Sequence, residues 1–246
     1  MTELERKCAL LRGMLAEAGY AVFFGGAGVS TDSGLIDFRS AKDGLYNRPC
    51  QYSASPEEML TPGFYREHTA EFFDFYRTEL LNLAAPPNSV HYALAEMERA
   101  GVIKCVITQN ADNLHQRAGS KNVIDIHGNV YINTCEGCGK RFPPEAVADC
   151  AGVPRCDACG GVIRPGILLF GEVPDMHAAM AAIREINRSD LLIAGGTSLK
   201  VSSAPRLLDR YKGKFVIINA EPTPYDSRAD LVINAGIAEV FSRIWP

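Results

Sequence analysis

The sequence predicts an α/β fold built on one parallel sheet of the doubly wound type, interrupted by two inserted segments. Short apolar runs, each long enough for one buried strand, recur along the chain and alternate in several places with helical patterns. Two stretches break the alternation: one is long and aromatic, and the other is rich in Cys, Gly and Pro. At 246 residues, the chain suits one good-sized domain or one core with a small inserted module.

Composition narrows the class of protein. Apolar residues make up 47% of the chain, and the net charge is −4 with both signs mixed, which argues against a generic basic face for nucleic acid. The apolar runs fall short of the roughly 18 residues of a membrane span, and the first twenty residues lack a signal-peptide pattern. We therefore expect a cytoplasmic protein that binds neither nucleic acid nor membrane. In the reducing cytoplasm, the eight cysteines should be reduced thiols or metal ligands.

The predicted core begins with an amphipathic helix. Thr2 and Glu5 have capping-box spacing, and an apolar face follows at helical spacing. Apolar runs typical of buried parallel strands then lie at 20–24, 102–107, 191–194, 215–218 and 231–233, with a helix predicted near 90–99. The first part of the core is thus 1–40, and its other parts are 84–129 and 163–246.

The two inserted segments are predicted to be modules of their own. Residues 41–83 are expected to be helical, with aromatic side chains that must be buried: Phe64, Phe72, Phe73, Phe75 and Tyr76. Residues 130–162 contain the pairs Cys135–Cys138 and Cys156–Cys159, separated by seventeen residues. Each CxxC pair forms a tight turn that aims two thiolates at one point, so two pairs complete a tetrahedral four-sulfur zinc site.

This zinc is expected to be structural, because four protein ligands leave no open position for chemistry. Two disulfides, scattered core cysteines and a redox CxxC are the alternatives, although a redox CxxC normally opens a helix of a βαβ unit. The predicted fold is therefore a Rossmann-like parallel sheet with a small inserted zinc-ribbon and helical module.

Three strand ends carry residues typical of a nucleotide site. The first strand is followed by Gly25-Gly26-Ala27-Gly28-Val29-Ser30, where glycines would let the backbone approach a pyrophosphate, although the spacing is not the usual GxGxxG. Gly195-Gly196-Thr197-Ser198 ends the run at 191–194, and Asn219 and Glu221 follow the run at 215–218. Ser30 and Ser33 suit either phosphate binding or helix capping, and Arg39 suits either a phosphate contact or a solvated surface.

His127 is the main candidate for acid–base chemistry. It follows an apolar run and precedes a glycine, so it can lie in a crevice with a pKa near working pH. Asn110 and Asp112 follow another strand and could fix an amide or a ribose beside it. A capping or core role for His127 is equally compatible with the pattern. His91 and His115 are interpreted as packing residues on helices.

These motifs together resemble the sirtuin family over nearly the whole chain. Residues 26–34 resemble its GAGxSxxSG loop, 37–39 its DFR, 109–119 its QNIDxLHxxAG, and 127–128 its HG. Residues 164–172 resemble RPxxxxFGE, 196–201 resemble GTSLxV, and the two cysteine pairs match the zinc ribbon. Ala111 stands where the family usually has isoleucine, and Ile36 where it usually has proline.

The resemblance implies an NAD-dependent protein-lysine deacetylase or deacylase. NAD would be a consumed cosubstrate, with nicotinamide released and the acyl group transferred to ADP-ribose. His127 would be the general base, with Asn110 and Asp112 orienting the ribose and the nicotinamide amide. The partner would be an acyl-lysine protein or peptide, and one structural zinc per chain would be held by Cys135, Cys138, Cys156 and Cys159.

The implied binding residues follow the same motifs. Those for NAD are Gly26, Ala27, Gly28, Ser30, Asp37, Phe38, Arg39, Gln109, Asn110, Asp112, Gly196, Thr197, Ser198, Asn219, Glu221 and Ala238. Those for the peptide, which would pair with strand edges, are Phe170, Gly171, Glu172, Val173 and Val201. Family members that prefer acidic acyl groups carry a Tyr-x-x-Arg pair that residues 72–77 lack, so an apolar acyl pocket is expected.

Other activities stay open at this point. An ADP-ribosyltransferase or NAD hydrolase would share the NAD site and differ in the acceptor. A binding module without turnover and a Rossmann dehydrogenase are further alternatives, although the loop spacing and the cysteine-rich insert fit a dehydrogenase poorly.

Overall fold

The computed structural model describes residues 1–38, 44–47, 51–200 and 207–245. The strands are β1 (Ala21–Gly25), β2 (Ile103–Thr108), β3 (Val123–Asp125), β4 (Gly128–Cys135), β5 (Arg141–Phe142), β6 (Ile163–Ile167), β7 (Leu191–Gly195), β8 (Lys214–Ile218) and β9 (Leu231–Ile233). The α-helices of these ranges are α1 (Glu3–Glu17), α2 (Pro56–Met59), α3 (Pro62–Glu67), α4 (Thr69–Phe75), α5 (Ser89–Arg99), α6 (Leu114–Ala118), α7 (Glu145–Ala148), α8 (Met176–Arg188) and α9 (Ile237–Ile244).

A six-stranded parallel sheet forms the centre of the molecule. Its strand order is β3-β2-β1-β7-β8-β9, and every neighbouring pair runs parallel. The five predicted core strands all lie within one residue of their expected bounds. The capping box of α1 also forms: Glu5 N donates to Thr2 Oγ1 over 3.2 Å, and Thr2 N donates to Glu5 Oε2 over 2.8 Å. The predicted Rossmann-like fold is confirmed.

Side chains of the parallel sheet are buried on both faces. Alternation along β1 sends Phe23 into a core shared with α1, α5 and α9, and Phe24 into a core shared with α8. Both phenylalanines are fully buried. This explains why the strands are continuous apolar runs rather than alternating patterns.

The aromatic segment and the cysteine-rich segment share a third core. Phe72, Phe73 and Tyr76 are buried there together with Cys135 and Ile163. The rings of Phe72 and Tyr76 stack with centroids 6.0 Å apart. The burial that the sequence required of these aromatic residues is thus supplied by the neighbouring insert.

The second sheet is antiparallel and wider than the predicted insert. Its order is β5-β4-β6, and the β4–β6 pairing runs from Cys135↔Ile163 to Gly128↔Ile167. This pairing begins before residue 130 and continues beyond residue 162, and the sequence did not predict it. The reason is composition, since Pro165 and Gly166 in β6 are residue types that argue against a strand. The division of the chain into three modules stays a prediction.

The candidate site follows from the point at which the strand order reverses. Gly25, at the end of β1, is in register with Thr108 of β2 and with Gly195 of β7. The loops after these three strands therefore meet at one crevice, which is where open α/β sheets bind ligands. Among the helices of the described residues, none is both long and apolar enough to cross a membrane.

Candidate active site at the carboxyl edge of the sheet

Two glycine-rich loops lie directly against each other in this crevice. Gly28 N donates to Gly196 O over 2.8 Å, and Gly26 N donates to Gly195 O over 3.2 Å. A β-carbon on Gly28 would come within 2.9 Å of the Gly196 Cα, and Gly196 itself has a φ of +60°. Glycine is required at both positions because a side chain would separate the loops. The sequence predicted both loops, and the structure brings them together.

Asn110, Asp112 and Ser30 form one hydrogen-bonded group. The Ser30 hydroxyl donates to Asp112 Oδ2 over 2.6 Å and accepts from Asn110 Nδ2 over 3.0 Å. Asn110 also donates to Gly26 O over 3.1 Å. Burial raises the pKa of Asp112, and the hydrogen bonds from Ser30 and the Leu114 backbone oppose that rise. The first glycine loop and the loop after β2 are therefore tied together through side chains.

Both candidate phosphate serines are buried and bonded to protein groups. Ser30 is 2% exposed, and Ser33 accepts from Asn88 Nδ2 over 3.0 Å. These contacts are with other side chains, and Ser30, which precedes the short turn at 31–33, makes no capping hydrogen bond there. A role for Ser30 in NAD binding stays a prediction.

His91 contacts this group through Ser30. The sequence did not predict this contact, because it indicated only a packing role for His91. The Asn88 backbone N–H donates to His91 Nδ1 over 3.2 Å, so the ring proton belongs on Nε2, which lies 3.4 Å from Ser30 Oγ. Burial lowers the pKa of His91 to about 4, so the ring is neutral near pH 7. The spacing Asn88-x-x-His91 at the start of α5 was the available signal, since it is a capping pattern.

His127 lies at the same edge, two residues after β3. Its Nδ1 is 2.9 Å from the Gln109 carbonyl oxygen, and only a protonated Nδ1 can bond a carbonyl. Nε2 therefore carries the lone pair in the neutral ring. Burial lowers the pKa of His127, and the hydrogen bond to Gln109 opposes that change. The ring is thus held in the form that a general base requires.

Gly128 explains the glycine that follows this histidine. Its φ is +83°, and a β-carbon there would overlap the carbonyl oxygen of Gly166 in β6. The close approach of β4 and β6 at this point sets where the His127 backbone lies, because Leu168 N donates to His127 O over 2.9 Å.

The other predicted nucleotide residues lie around the crevice with varied contacts. Gln109 Nε2 donates to Thr197 Oγ1 over 2.9 Å, which joins the loops after β2 and β7. Asn219 follows β8 and donates to Glu221 O over 2.7 Å. Ala238 lies in α9, a helix that packs near residues 27–29. The Asp37 carbonyl accepts from Leu45 N, and the Phe38 ring contacts the Tyr46 ring. Ser198 is half-buried beside Thr197, and Arg39 lies outside the described residues.

The predicted peptide loop is a tight turn with an inward-facing carboxylate. Glu172 binds Arg164 Nη2 over 2.7 and 2.8 Å and accepts from Leu169 N over 2.9 Å. Phe170 N donates to Leu60 O over 2.8 Å, which ties the turn to the helical segment. The Glu172 side chain is therefore occupied with shaping the turn. Val173 is 85% exposed, and Val201 lies outside the described residues.

Four cysteine sulfurs converge as predicted. The Sγ atoms of Cys135, Cys138, Cys156 and Cys159 all lie within 4.8 Å of one another. Those of Cys135 and Cys159 are 3.4 Å apart, and those of Cys138 and Cys156 are 3.7 Å apart. Sulfurs at about 2.3 Å from a tetrahedral zinc would be separated by roughly 3.8 Å. The cluster fits zinc in both donor type and spacing.

Comparison with known proteins decides which family has this arrangement. Residues 26–203 match the Sir2 family. The chain belongs to the Sir2 family. This Sir2 family member is 46% identical over 236 residues to an NAD-dependent protein deacetylase of Clostridium tetani (strain Massachusetts / E88), an alignment that covers 95% of each protein.

Solved Sir2 structures have the same fold. One, with a p53 peptide and NAD+, has a TM-score of 0.84 at 37% identity and covers 96% of this chain and 95% of that chain. Another, a variant with a deacetylated p53 peptide and 3′-O-acetyl ADP-ribose, has a TM-score of 0.87 at 38% identity and covers 96% of each chain. The resemblance to sirtuins noted from the motifs is confirmed.

Proposed function

We propose that this Sir2 family member is an NAD-dependent protein-lysine deacylase that transfers the acyl group to ADP-ribose and releases nicotinamide. Its full-length relative in Clostridium tetani is a deacetylase, and similar structures hold NAD+, a peptide and an acetylated ADP-ribose. The observation that carries the proposal is His127, whose Nδ1 is protonated and bonded to the carbonyl of Gln109, the residue that precedes Asn110 in the loop after β2.

NAD is assigned to the crevice formed by the loops after β1, β2, β7 and β8. The contact between Gly28 and Gly196 supports this, because bare backbone at strand ends admits a pyrophosphate. When bound, NAD supplies the ribose carbon that takes the acyl oxygen and the hydroxyl that later receives the acyl group. Asn110 and Asp112 orient that ribose and the nicotinamide amide.

His127 is the proton acceptor in this scheme. Its Nε2 takes the proton from a ribose hydroxyl as that hydroxyl attacks the acyl carbon, while the Gln109 carbonyl stabilises the positive charge on the ring. The bonds that join Ser30, Asn110 and Asp112 hold the neighbouring loop before substrate arrives. Positioning of this kind matters because an amide oxygen is a poor nucleophile.

An acetyl-lysine peptide incubated with the protein, with and without NAD, tests the proposal by mass spectrometry. We expect the acetyl group to be lost only when NAD is present, with nicotinamide and O-acetyl-ADP-ribose formed in equal amounts. An ADP-ribosylated peptide, or NAD consumption that leaves the acetyl group in place, would instead show the transferase or hydrolase activity.

The acid limb of the pH profile is a further prediction. A buried histidine with a lowered pKa stays neutral as the pH falls, until the pH reaches that lowered value. Catalytic efficiency for the acetyl peptide should therefore decline only below about pH 6.5, the value of an ordinary imidazole. Measurement of kcat/KM between about pH 5 and 8 checks this. An acid limb centred above about 6.5 would contradict a buried neutral His127.

The acyl group is predicted to be apolar. Arg77, the arginine nearest to the position of the family's acid-selective arginine, donates to Gly152 O over 2.9 Å, and its guanidinium lies 5.9 Å from the centre of the Phe73 ring. Its charge is thus held against the cysteine-rich segment. A succinyl carboxylate buried without a partner would cost several kcal/mol, and a cost of about 3 kcal/mol already corresponds to roughly a 100-fold loss.

We expect kcat/KM for a succinyl-lysine peptide to be about 100-fold below that for the acetyl-lysine peptide of the same sequence. Ala111 is expected to enlarge the acyl pocket, because isoleucine is the usual residue of the family at this position. The Ala111→Ile variant should therefore lower the ratio of kcat/KM for the butyryl-lysine peptide to kcat/KM for the acetyl-lysine peptide. Efficient succinyl turnover would show that a cation reaches the acyl group.

Zinc at the four cysteines is proposed as a structural ion. Gly137 N lies 3.3 Å from Cys135 Sγ and Ala158 N lies 3.4 Å from Cys156 Sγ, contacts that stabilise thiolates in CxxC turns. All four ligands come from the protein, so the ion would join the two turns and take no part in the reaction. The cytoplasmic location stays a prediction.

A further inference from the structure

The outer face of α8 carries a row of exposed apolar side chains. Met176, Met180 and Ile183 are 70%, 63% and 45% exposed, and their spacing of four and three residues places them on one side of the helix. An adjoining side of the helix is buried against the sheet through Ala182 and Ile186. With Val173 just before the helix, these residues form what we call the α8 stripe: Val173, Met176, Met180 and Ile183.

The stripe is a concentration of apolar surface rather than a scatter. Among the residues that the structure describes, nine large hydrophobic side chains are exposed, and five of the nine lie between residues 170 and 183. Single exposed apolar residues are normal on proteins, whereas a contiguous patch usually marks a contact site. Methionine at two of the positions suits a surface that adapts to different partners.

The position of α8 relates the stripe to the peptide loop. The loop ends at Val173, and α8 begins at Met176. The helix leads into β7, whose carboxyl end faces the crevice, so α8 runs antiparallel to the strands and starts at the edge of the active site. From Met176 to Ile183 the stripe extends about 10 Å away from that edge, at 1.5 Å per residue.

We propose that the α8 stripe binds an apolar segment of the acylated substrate protein, outside the extended stretch that holds the acyl-lysine. This inference rests on the proposed role of residues 170–173 in peptide binding. The stripe consists of four side chains, whereas a stable interface buries about 800 Å² and roughly 20–30 residues on each partner. A second copy of the chain would therefore be held weakly by the stripe alone.

A substrate that already occupies the cleft does not face this limit. Its second contact is intramolecular, so even a small apolar surface raises affinity through a high effective concentration. The consequence is a preference among substrates that arises from residues several positions away from the modified lysine.

Two acetyl-lysine peptides test the proposal. They share the residues around the lysine and a Gly/Ser linker of about ten residues, which spans the stripe, and they end in either a leucine-rich or a serine-rich segment, placed on either side of the lysine. We expect the leucine peptide to have a KM several-fold below that of the serine peptide, with an equal kcat. The triple variant Met176→Gln, Met180→Gln, Ile183→Gln should abolish this difference. It should leave kcat/KM unchanged for a short acetyl-lysine peptide that contains only the shared residues around the lysine.

A matched control removes exposed apolar residues elsewhere. The variant Leu10→Gln, Tyr92→Gln, with side chains 54% and 49% exposed, should keep the leucine preference. Equal KM values for the two long peptides on the unmodified protein would overturn the inference. So would a dimer in sedimentation that the triple variant converts to a monomer, because the stripe would then be a self-association surface. Failure to turn over the short peptide would instead refute the proposed deacylase function.

Discussion

The His127→Ala variant is expected to lose at least 100-fold in kcat for the acetyl-lysine peptide while the protein stays folded. A positioned general base contributes about 10²- to 10⁴-fold to a rate. The lost group is the neutral ring whose Nδ1 bonds Gln109 O at 2.9 Å, which leaves Nε2 as the proton acceptor. Steady-state deacetylation, followed by O-acetyl-ADP-ribose formation, measures the loss.

His177→Ala is the matched control for this variant. His177 is an exposed histidine on α8. Its removal should leave unchanged both the rate of deacetylation of the short peptide and the thermal stability of the protein. Thermal unfolding of His127→Ala should lie close to that of the unmodified protein, because the substitution leaves the cysteine cluster and the apolar cores intact. Deacetylation at a rate near that of the unmodified protein would rule out His127 as the base.

The Cys135→Ala variant is expected to lose its zinc and much of its stability. Three remaining thiols cannot close a tetrahedral site, and metal binding contributes directly to the folding of small zinc modules. Cys135 also belongs to the core that holds Phe72 and Tyr76, so disorder should spread into the helical segment. A loss of several kcal/mol would lower Tm by roughly 10 °C or more in a protein of this size.

Metal analysis and thermal unfolding measure these effects, and Cys150→Ala is the control. Cys150 is a half-buried thiol outside the four-sulfur cluster, so its removal should keep one zinc per chain and a similar Tm. A metal-free Cys135→Ala protein with unchanged Tm and activity would show that the cluster does not stabilise the fold.

Patterns within a few neighbouring residues were enough to predict much of the molecule. The apolar runs located five strands of the parallel sheet within one residue, because each strand is buried on both faces and has no polar alternation to obscure it. The two CxxC pairs predicted a converged cluster for a similar reason, since the turn within each pair is a local property. The glycine-rich loops were likewise recognisable beside the strands that they follow.

Contacts between distant segments were beyond the reach of these patterns. The sequence left open whether the Ser30 hydroxyl would bind a phosphate or cap a helix. In the structure this hydroxyl donates to Asp112, which is 82 residues away. His91 was read as packing, and its approach to Ser30 depends on how α5 lies against the first loop. The β4–β6 pairing was not predicted, because proline is a residue type that argues against a strand and Pro165 lies within β6.

The sequence by itself therefore determined the sheet, the four-cysteine cluster and the family, all of which depend on spacing along the chain. Only the tertiary structure decided the tautomer of His127, the inward direction of the Glu172 carboxylate and the exposure of the α8 stripe. The physical reason is that protonation, side-chain direction and exposure are set by whichever atoms lie across a gap in space, and a linear pattern does not specify those atoms.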